Sequence, residues 1–311
     1  MALAFVFPGQ GSQSLGMLSE LAGQQPIVEQ TFAEASAVLG YDLWQLCQEG
    51  PEERLNATEC TQPALLTASV ATWRIWCERT DVRPEYTAGH SLGEYSALVC
   101  AGALDFPAAV ELVAFRGRAM QEAVPAGSGA MAAILGLDDA AVKDACDAVK
   151  GQDVLSPVNF NAPGQVVIAG HAEAVDRAIE EVKAKGAKRA LKLPVSVPSH
   201  CDLMKPAADR MAEKLSEVQI SAPVTPVVHN VDVAEHLDAA AIRRALVAQL
   251  HNPVRWVETI HYLAKQGITA MVECGPGKVL AGLNKRIARD INTLPLFDSG
   301  TLTKALEAIG E

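Results

Sequence analysis

The chain has 311 residues, 49% hydrophobic and 20% charged, with a formal net charge of -11 and a sequence pI of about 5.2. That length and apolar share suit one large domain with a smaller one attached, and an acidic chain without a Lys/Arg block argues against nucleic-acid binding. Seven scattered cysteines without a C-x-x-C pair, no basic N-terminal leader pattern and no apolar run of membrane-spanning length point to a reducing, cytoplasmic setting with no membrane partner.

Leu3 to Phe7 reads as a buried strand, followed by the loop Pro8-Gly9-Gln10-Gly11-Ser12-Gln13 and a helix from near Leu15. Strand, glycine-rich loop and helix invite a nucleotide-binding reading, but neither G-x-G-x-x-G nor G-K-[ST] is present. Gly9 and Gly11 instead suit a close approach of backbone amides and the Gln10 side chain to a ligand; a tight loop with no ligand is the alternative. Helices are expected over Ile27 to Leu39 and Ala64 to Arg79.

Next comes Tyr86-Thr87-Ala88-Gly89-His90-Ser91-Leu92-Gly93-Glu94-Tyr95, a G-x-S-x-G placed between a short strand and a helix-like segment. This is the pattern of a nucleophile elbow, whose sharp turn exposes a serine hydroxyl beside backbone N–H groups and leaves no room for side chains at the glycines. It points to a covalent acyl-serine at Ser91. The competing reading is a serine that only caps the next helix.

Asp105 caps a further helix with Pro107 in its first turn. Ala109, Val113, Arg116 and Met120 share one stripe of it, spaced by four, three and four. A guanidinium on an inward face needs an anionic partner or a polar cavity, the alternative being a snorkelling side chain. Arg118 faces elsewhere.

From Ala126 the pattern becomes strand Gly129 to Leu135, helix Asp138 to Val149, two strands within Ser156 to Ala169 around Ala162-Pro163-Gly164, helix Ala172 to Lys185 and strand Lys188 to Leu193. This β-α-β-β-α-β order matches a ferredoxin-like unit. The expected fold is α/β: a large α/β-hydrolase-like domain with a parallel central sheet, carrying an inserted small ferredoxin-like α+β domain. The large domain would be discontinuous, residues 1–125 and 198–311, and the small one 126–197. After the insertion we expect helices over Lys205 to Glu217, Ala239 to Leu250 and Val257 to Gln266, strands at Val227 to Asn230 and Ala270 to Glu273, and one last long helix after Gly275-Pro276-Gly277. Lys278, Lys285, Arg286 and Arg289 form a local basic patch that would tolerate an acidic partner.

An elbow serine needs a base. His200 stands where the small domain rejoins the large one, the natural place for a cleft. His90 occupies the variable position beside the nucleophile and points away along the turn; His171, His236 and His261 sit in surface-like contexts. The group orienting His200 stays open: Asp202 falls in the next helical turn, so a main-chain or side-chain amide oxygen is the other possibility. No His/Cys/Asp cluster has ligand spacing, and no metal is expected.

Taken together, the Pro8 to Gln13 loop, the Gly89 to Tyr95 elbow, Arg116, Val197-Pro198-Ser199-His200 and Glu273-Cys274-Gly275-Pro276-Gly277 occur in the order found in one family. Over nearly its whole length the chain resembles the bacterial malonyl-CoA:acyl carrier protein transacylases of type II fatty-acid synthesis. It is also similar to the acyltransferase domains of large fatty-acid and polyketide synthases. The resemblance implies malonyl transfer from malonyl-CoA to the phosphopantetheine thiol of acyl carrier protein, a transient partner. It implies no resident cofactor, since malonyl-CoA is substrate and phosphopantetheine belongs to the carrier, and it suggests a monomer. It makes Ser91 the acylated residue and His200 its base, and assigns the oxyanion hole to Gln10 and Leu92. Arg116 would bind the malonyl carboxylate, the Gln249 backbone carbonyl would hold the histidine, and Asn161 would lie near the acyl-carrier or coenzyme side of the cleft. An acyl hydrolase with the same serine and histidine, or a non-catalytic carrier-binding scaffold, are the competing functions.

Overall fold

The five residues of β1 (Leu3–Phe7) are all buried, as expected of a strand covered on both faces. In the computed structural model, which describes residues 2–195 and 197–310, β1 lies at the centre of a five-stranded sheet. Met1, Ser196 and Glu311, which fall within the expected domain ranges, lie outside the described residues. The first helices are α1 (Ser19–Ala22), α2 (Ile27–Leu39), α3 (Leu43–Glu49), α4 (Glu52–Leu55) and α5 (Thr58–Arg79). The helix expected from Leu15 thus begins only at Ser19, and α3 and α4 are additional to the expected elements. Helix α5 starts before Ala64 because its polar first turns are buried against the helix that carries Arg116. A Cβ on Gly117 would stand 2.6 Å from Glu59 Cα, so only a glycine admits this approach.

Strand β2 (Tyr86–Gly89), α6 (Gly93–Cys100) and α7 (Phe106–Glu122) follow. Asp105 caps α7 by accepting from the Ala108 N–H. The chain then leaves the large sheet for β3 (Gly129–Leu135), α8 (Asp139–Val149), β4 (Leu155–Ala162), β5 (Gln165–His171), α9 (Ala172–Ala184) and β6 (Arg189–Lys192). These strands make an antiparallel sheet of order β4-β5-β3-β6, the arrangement of a ferredoxin-like unit.

On its return the chain adds α10 (Lys205–Glu217), β7 (Val227–Val228), α11 (Ala239–Gln249), α12 (Trp256–Lys265), β8 (Ala270–Cys274), α13 (Val279–Ile287), β9 (Asn292–Leu296) and α14 (Ser299–Ile309). The expectation of a single last helix is corrected here. Strand β9 is half-buried at the sheet edge and contains Pro295, which an edge strand tolerates but which masks the strand in the sequence, and α14 packs against it. The large sheet runs β7-β2-β1-β8-β9 with every described pair parallel, so the fold is a two-domain α/β architecture with a parallel sheet and a smaller antiparallel insertion.

Strand alternation sorts the cores. Leu3, Phe5 and Phe7 pack under α2, α5 and α7, whereas Ala4 and Val6 pack against Trp256, Ile260 and Leu280 on the other face. In β3, Ala130, Ala132 and Ile134 join the core of their own helices, and Met131 turns the other way, into a cluster with Val158, Val167 and Cys201. That second cluster joins the small sheet to the returning chain at Cys201 and Leu203. No described helix is long and apolar enough to cross a membrane.

Candidate active site

The turn after β2 is too tight for any residue but glycine on either side of Ser91. A Cβ on Gly89 would lie 1.9 Å from the Gly93 carbonyl carbon, and one on Gly93 would lie 2.0 Å from the Phe7 carbonyl oxygen. His90 N–H donates to Phe7 O at 3.0 Å and Gly93 N–H to His90 O at 2.9 Å, closing the turn. Ser91 itself adopts φ 52°, a left-handed conformation that a non-glycine residue keeps only when its surroundings impose it. Its Oγ stands 2.8 Å from His200 Nε2.

His200 is buried and also left-handed, at φ 66°. Its Nδ1 lies 2.7 Å from the backbone oxygen of Gln249, at the end of α11. A carbonyl only accepts, so Nδ1 carries the proton and Nε2 is left free to take one from the serine hydroxyl. Asp202 does not reach this ring; it pairs with Lys205 at 3.0 Å on the surface. His90 points away from Ser91 Oγ, its Nε2 2.8 Å from Asn161 Oδ1. Burial first, then the positive charge of Arg116, push His200 down to about 3 from the ordinary 6.5. The ring is therefore neutral at pH 7.

Arg116 is 1% exposed and ends at the same spot. Its Nη1 donates to Gln62 Oε1 and its Nη2 to Gln249 Oε1, each at 2.9 Å, with Ser91 Oγ 3.5 Å from Nη2. Its Nε has no hydrogen-bond partner, and among the described residues no carboxylate stands within ion-pair distance of the guanidinium. Burial lowers its pKa, and Tyr95 and Glu94 oppose that shift. The result is a buried cation held by two neutral amides beside the Ser91 hydroxyl, an arrangement able to bind an anion.

Gln10, Leu92, Arg116 and Ser91 line one cavity with His200, walled by apolar residues such as Met120, Met131 and Val197. Leu92 N–H heads α6, where the helix end favours negative charge. Asn161 stands behind the cavity on His90, while Asn159 lines it with a buried, unpartnered Oδ1. Glu273 supports the fold below the site, its carboxylate accepting from the Leu280 and Ala281 N–H groups at 2.9 and 2.7 Å and so capping α13. Residues 4–295 match the family model described as the acyl transferase domain.

The chain belongs to the acyl transferase family.

Among acyl transferases it is 62% identical over 303 residues to the malonyl CoA-acyl carrier protein transacylase of Salmonella typhimurium, covering 97% of this chain and 98% of that one. The Bacillus subtilis protein of the same name is 46% identical over 310 residues, covering 99% and 98%. Among solved structures, a malonyl-transacylase in complex with a type II PKS acyl-carrier protein superposes with TM-score 0.98 at 59% identity, covering 99% of this chain and all of that one. The malonyl CoA-acyl carrier protein transacylase of Coxiella burnetii gives TM-score 0.98 at 55% identity, covering 100% and 98%. The family likeness read from the motifs therefore holds along the whole chain.

Sequence patterns of this acyl transferase do not reveal Gln62, Glu94, Asn230 or the side chain of Gln249 as parts of the site. Asn230 Oδ1 accepts from the Ser91 N–H at 2.8 Å, and its Nδ2 donates to Gly89 O at 2.7 Å. Gln62 and Asn230 lie far from Ser91 along the chain and belong to no local pattern. Glu94 alone carried a local signal that could have marked it, being the one charged residue of α6.

Proposed function

We propose that this protein transfers the malonyl group of malonyl-CoA to the phosphopantetheine thiol of acyl carrier protein through a malonyl-Ser91 intermediate, supplying malonyl-carrier for fatty acid biosynthesis. The observation that carries this reading is the convergence of a histidine-bonded serine and a buried, carboxylate-free arginine in one cavity. His200 Nε2 takes the Ser91 proton as the hydroxyl attacks the thioester carbonyl, and returns it to the departing CoA thiolate. Gln10 and the Leu92 N–H stabilise the oxyanion that forms. Arg116 holds the malonyl carboxylate, the Gln249 carbonyl holds His200, and Asn161 supports the acyl-carrier or coenzyme side of the cleft through His90. The carrier thiol then repeats the attack on the acyl-serine, giving ping-pong kinetics. Malonyl-CoA and the carrier are transient partners, and the reducing cytoplasm is the compartment we assign; all seven cysteines are free and six of them are buried.

Intact-mass measurement tests the cycle. Mixing with malonyl-CoA should add one malonyl group, and adding phosphopantetheinylated carrier should remove it to the carrier. Release as free malonate without a carrier at a comparable rate would instead make the protein a hydrolase.

The pH dependence has a definite sign. His200 must be neutral to act, and its folded pKa is pushed down to about 3. Acylation by malonyl-CoA, followed as kcat/KM, should therefore hold from neutral pH to below the ordinary imidazole value of 6.5 before its acid limb sets in. Between these values the unfolded chain binds the extra proton and the folded one does not, so His200 makes stability fall as pH drops from 6.5 towards 3. An acid limb centred at 6–7, measured by rapid quench where the protein is still folded, would show that this ring is not the buried neutral base.

A further inference from the structure

His200 is oriented by an uncharged carbonyl, but a carboxylate stands directly behind that carbonyl's residue. Glu94, in the first turn of α6, is 0% exposed. Its Oε1 accepts from His229 Nδ1 at 2.7 Å, and its Oε2 accepts from the Asn230 N–H and from Gln249 Nε2, both at 2.9 Å. A carboxylate so deeply buried, with no described Lys or Arg paired to it, costs stability unless its oxygens are fully used, and these are.

Those bonds leave the Gln249 amide one orientation. Nε2 faces two acceptors, Glu94 Oε2 and Ser91 O at 3.0 Å, so Oε1 is the atom left to meet Arg116 Nη2 at 2.9 Å. Turning the amide over would set NH2 against the guanidinium and oxygen against the carboxylate. The second branch runs through Asn230. Glu94 holds its backbone, and its side chain brackets the left-handed Ser91 turn between the Ser91 N–H and Gly89 O.

We infer that Glu94 is a positioning residue of the reaction: through Gln249 it keeps an acceptor on the Arg116 guanidinium, and through Asn230 it holds the Ser91 turn. The first branch rests on the malonyl-transfer reading, because it acts on the group proposed to select malonate. The second needs only a reactive serine.

The test is Glu94→Gln, which keeps the shape and removes the negative charge. His229 can change tautomer to accept from the new amide N–H, so the bonds from Gln249 and Asn230 remain but lose their charge assistance. Three quantities are read: thermal unfolding, the malonyl-CoA/acetyl-CoA ratio of kcat/KM, and the rate at which a fluorophosphonate labels Ser91. We expect a cooperative fold, a ratio lowered about tenfold and labelling slowed about tenfold, as for charge-assisted bonds on the two branches reduced to neutral ones. Gln249→Met should lower the ratio likewise. Adding Glu94→Gln to it should lower the ratio no further, because both act on one contact. A folded Glu94→Gln protein that keeps both ratio and labelling rate overturns the role, as do losses of ratio that simply add in the double variant. Should Glu94→Gln not fold, an unchanged ratio in Gln249→Met decides against the inference. Should wild-type protein not be acylated by malonyl-CoA, the functional reading fails, while the labelling rate still decides the role of Glu94.

Discussion

Ser91→Ala protein mixed with malonyl-CoA should show no malonyl adduct by intact mass, and His200→Ala should acylate slower by roughly 10²–10⁴-fold. The two effects have different origins. In the proposed cycle Ser91 Oγ is the one atom bonded to the acyl group, so its loss removes the intermediate outright. His200 supplies a proton acceptor 2.8 Å from that atom, with its second nitrogen tied to the Gln249 carbonyl so that the acceptor tautomer is fixed. Without it the hydroxyl must lose its proton to water, and a serine is a weak nucleophile at its free pKa. The alanine variants also separate the serine from nearby thiols. Cys201 is adjacent to His200, but it is buried, its thiol is pushed up to about 12 by burial, and it donates to Pro198 O. An adduct that persists on Cys201 in the Ser91→Ala protein would reject the assignment. Near-normal acylation by His200→Ala would move the base elsewhere, although His90 is held by Asn161 on the far side of the turn.

Arg116→Ala should collapse selectivity more than activity. On the ester of Ser91 the malonyl carboxylate lies two bonds beyond the carbonyl carbon, and Arg116 Nη2 is 3.5 Å from the hydroxyl to be acylated. Truncating one partner of a desolvated, charge-assisted pair costs roughly 2–5 kcal/mol. Acetyl has no carboxylate to leave unpaired, so its transfer should change far less. The quantity to measure is the malonyl/acetyl ratio of kcat/KM, which cancels general damage such as the loss of the Gln62 and Gln249 contacts. An unchanged ratio in Arg116→Ala would refute the carboxylate clamp even if total activity fell. Arg118, exposed on the other side of α7, is the internal control, and its alanine variant should leave the ratio alone.

The elbow was legible because its physics is local. Gly89, Ser91 and Gly93 stand within one turn, and the contacts that forbid a Cβ at the glycines come from the same turn and the neighbouring strand. Arg116 was legible through helical periodicity alone, since a stripe of Ala109, Val113 and Met120 buries whatever shares it. The β-α-β-β-α-β order announced the small sheet for the same reason: each element's period is written in consecutive residues. Periodicity failed where an element was short, as in α3 and α4, or half-buried, as in β9.

What the chain alone determined was thus the elbow serine, the inward arginine, the inserted small sheet and, through the set of motifs, the family. What only the tertiary structure decided was who holds them. Residue patterns left the partner of His200 open between Asp202 and an amide oxygen, and only the family resemblance pointed to the Gln249 carbonyl; the fold places that carbonyl at 2.7 Å and sends Asp202 to Lys205 on the surface. Gln62, Asn230 and Gln249 come from α5, the segment after β7, and α11, and they meet at Ser91 and Arg116 only because the parallel sheet and its helices bring those ends together. A hydrogen bond between residues more than fifty positions apart has no spacing to betray it. The supporting shell of this site is therefore set by packing, while its reacting groups are set by local turns and helix faces.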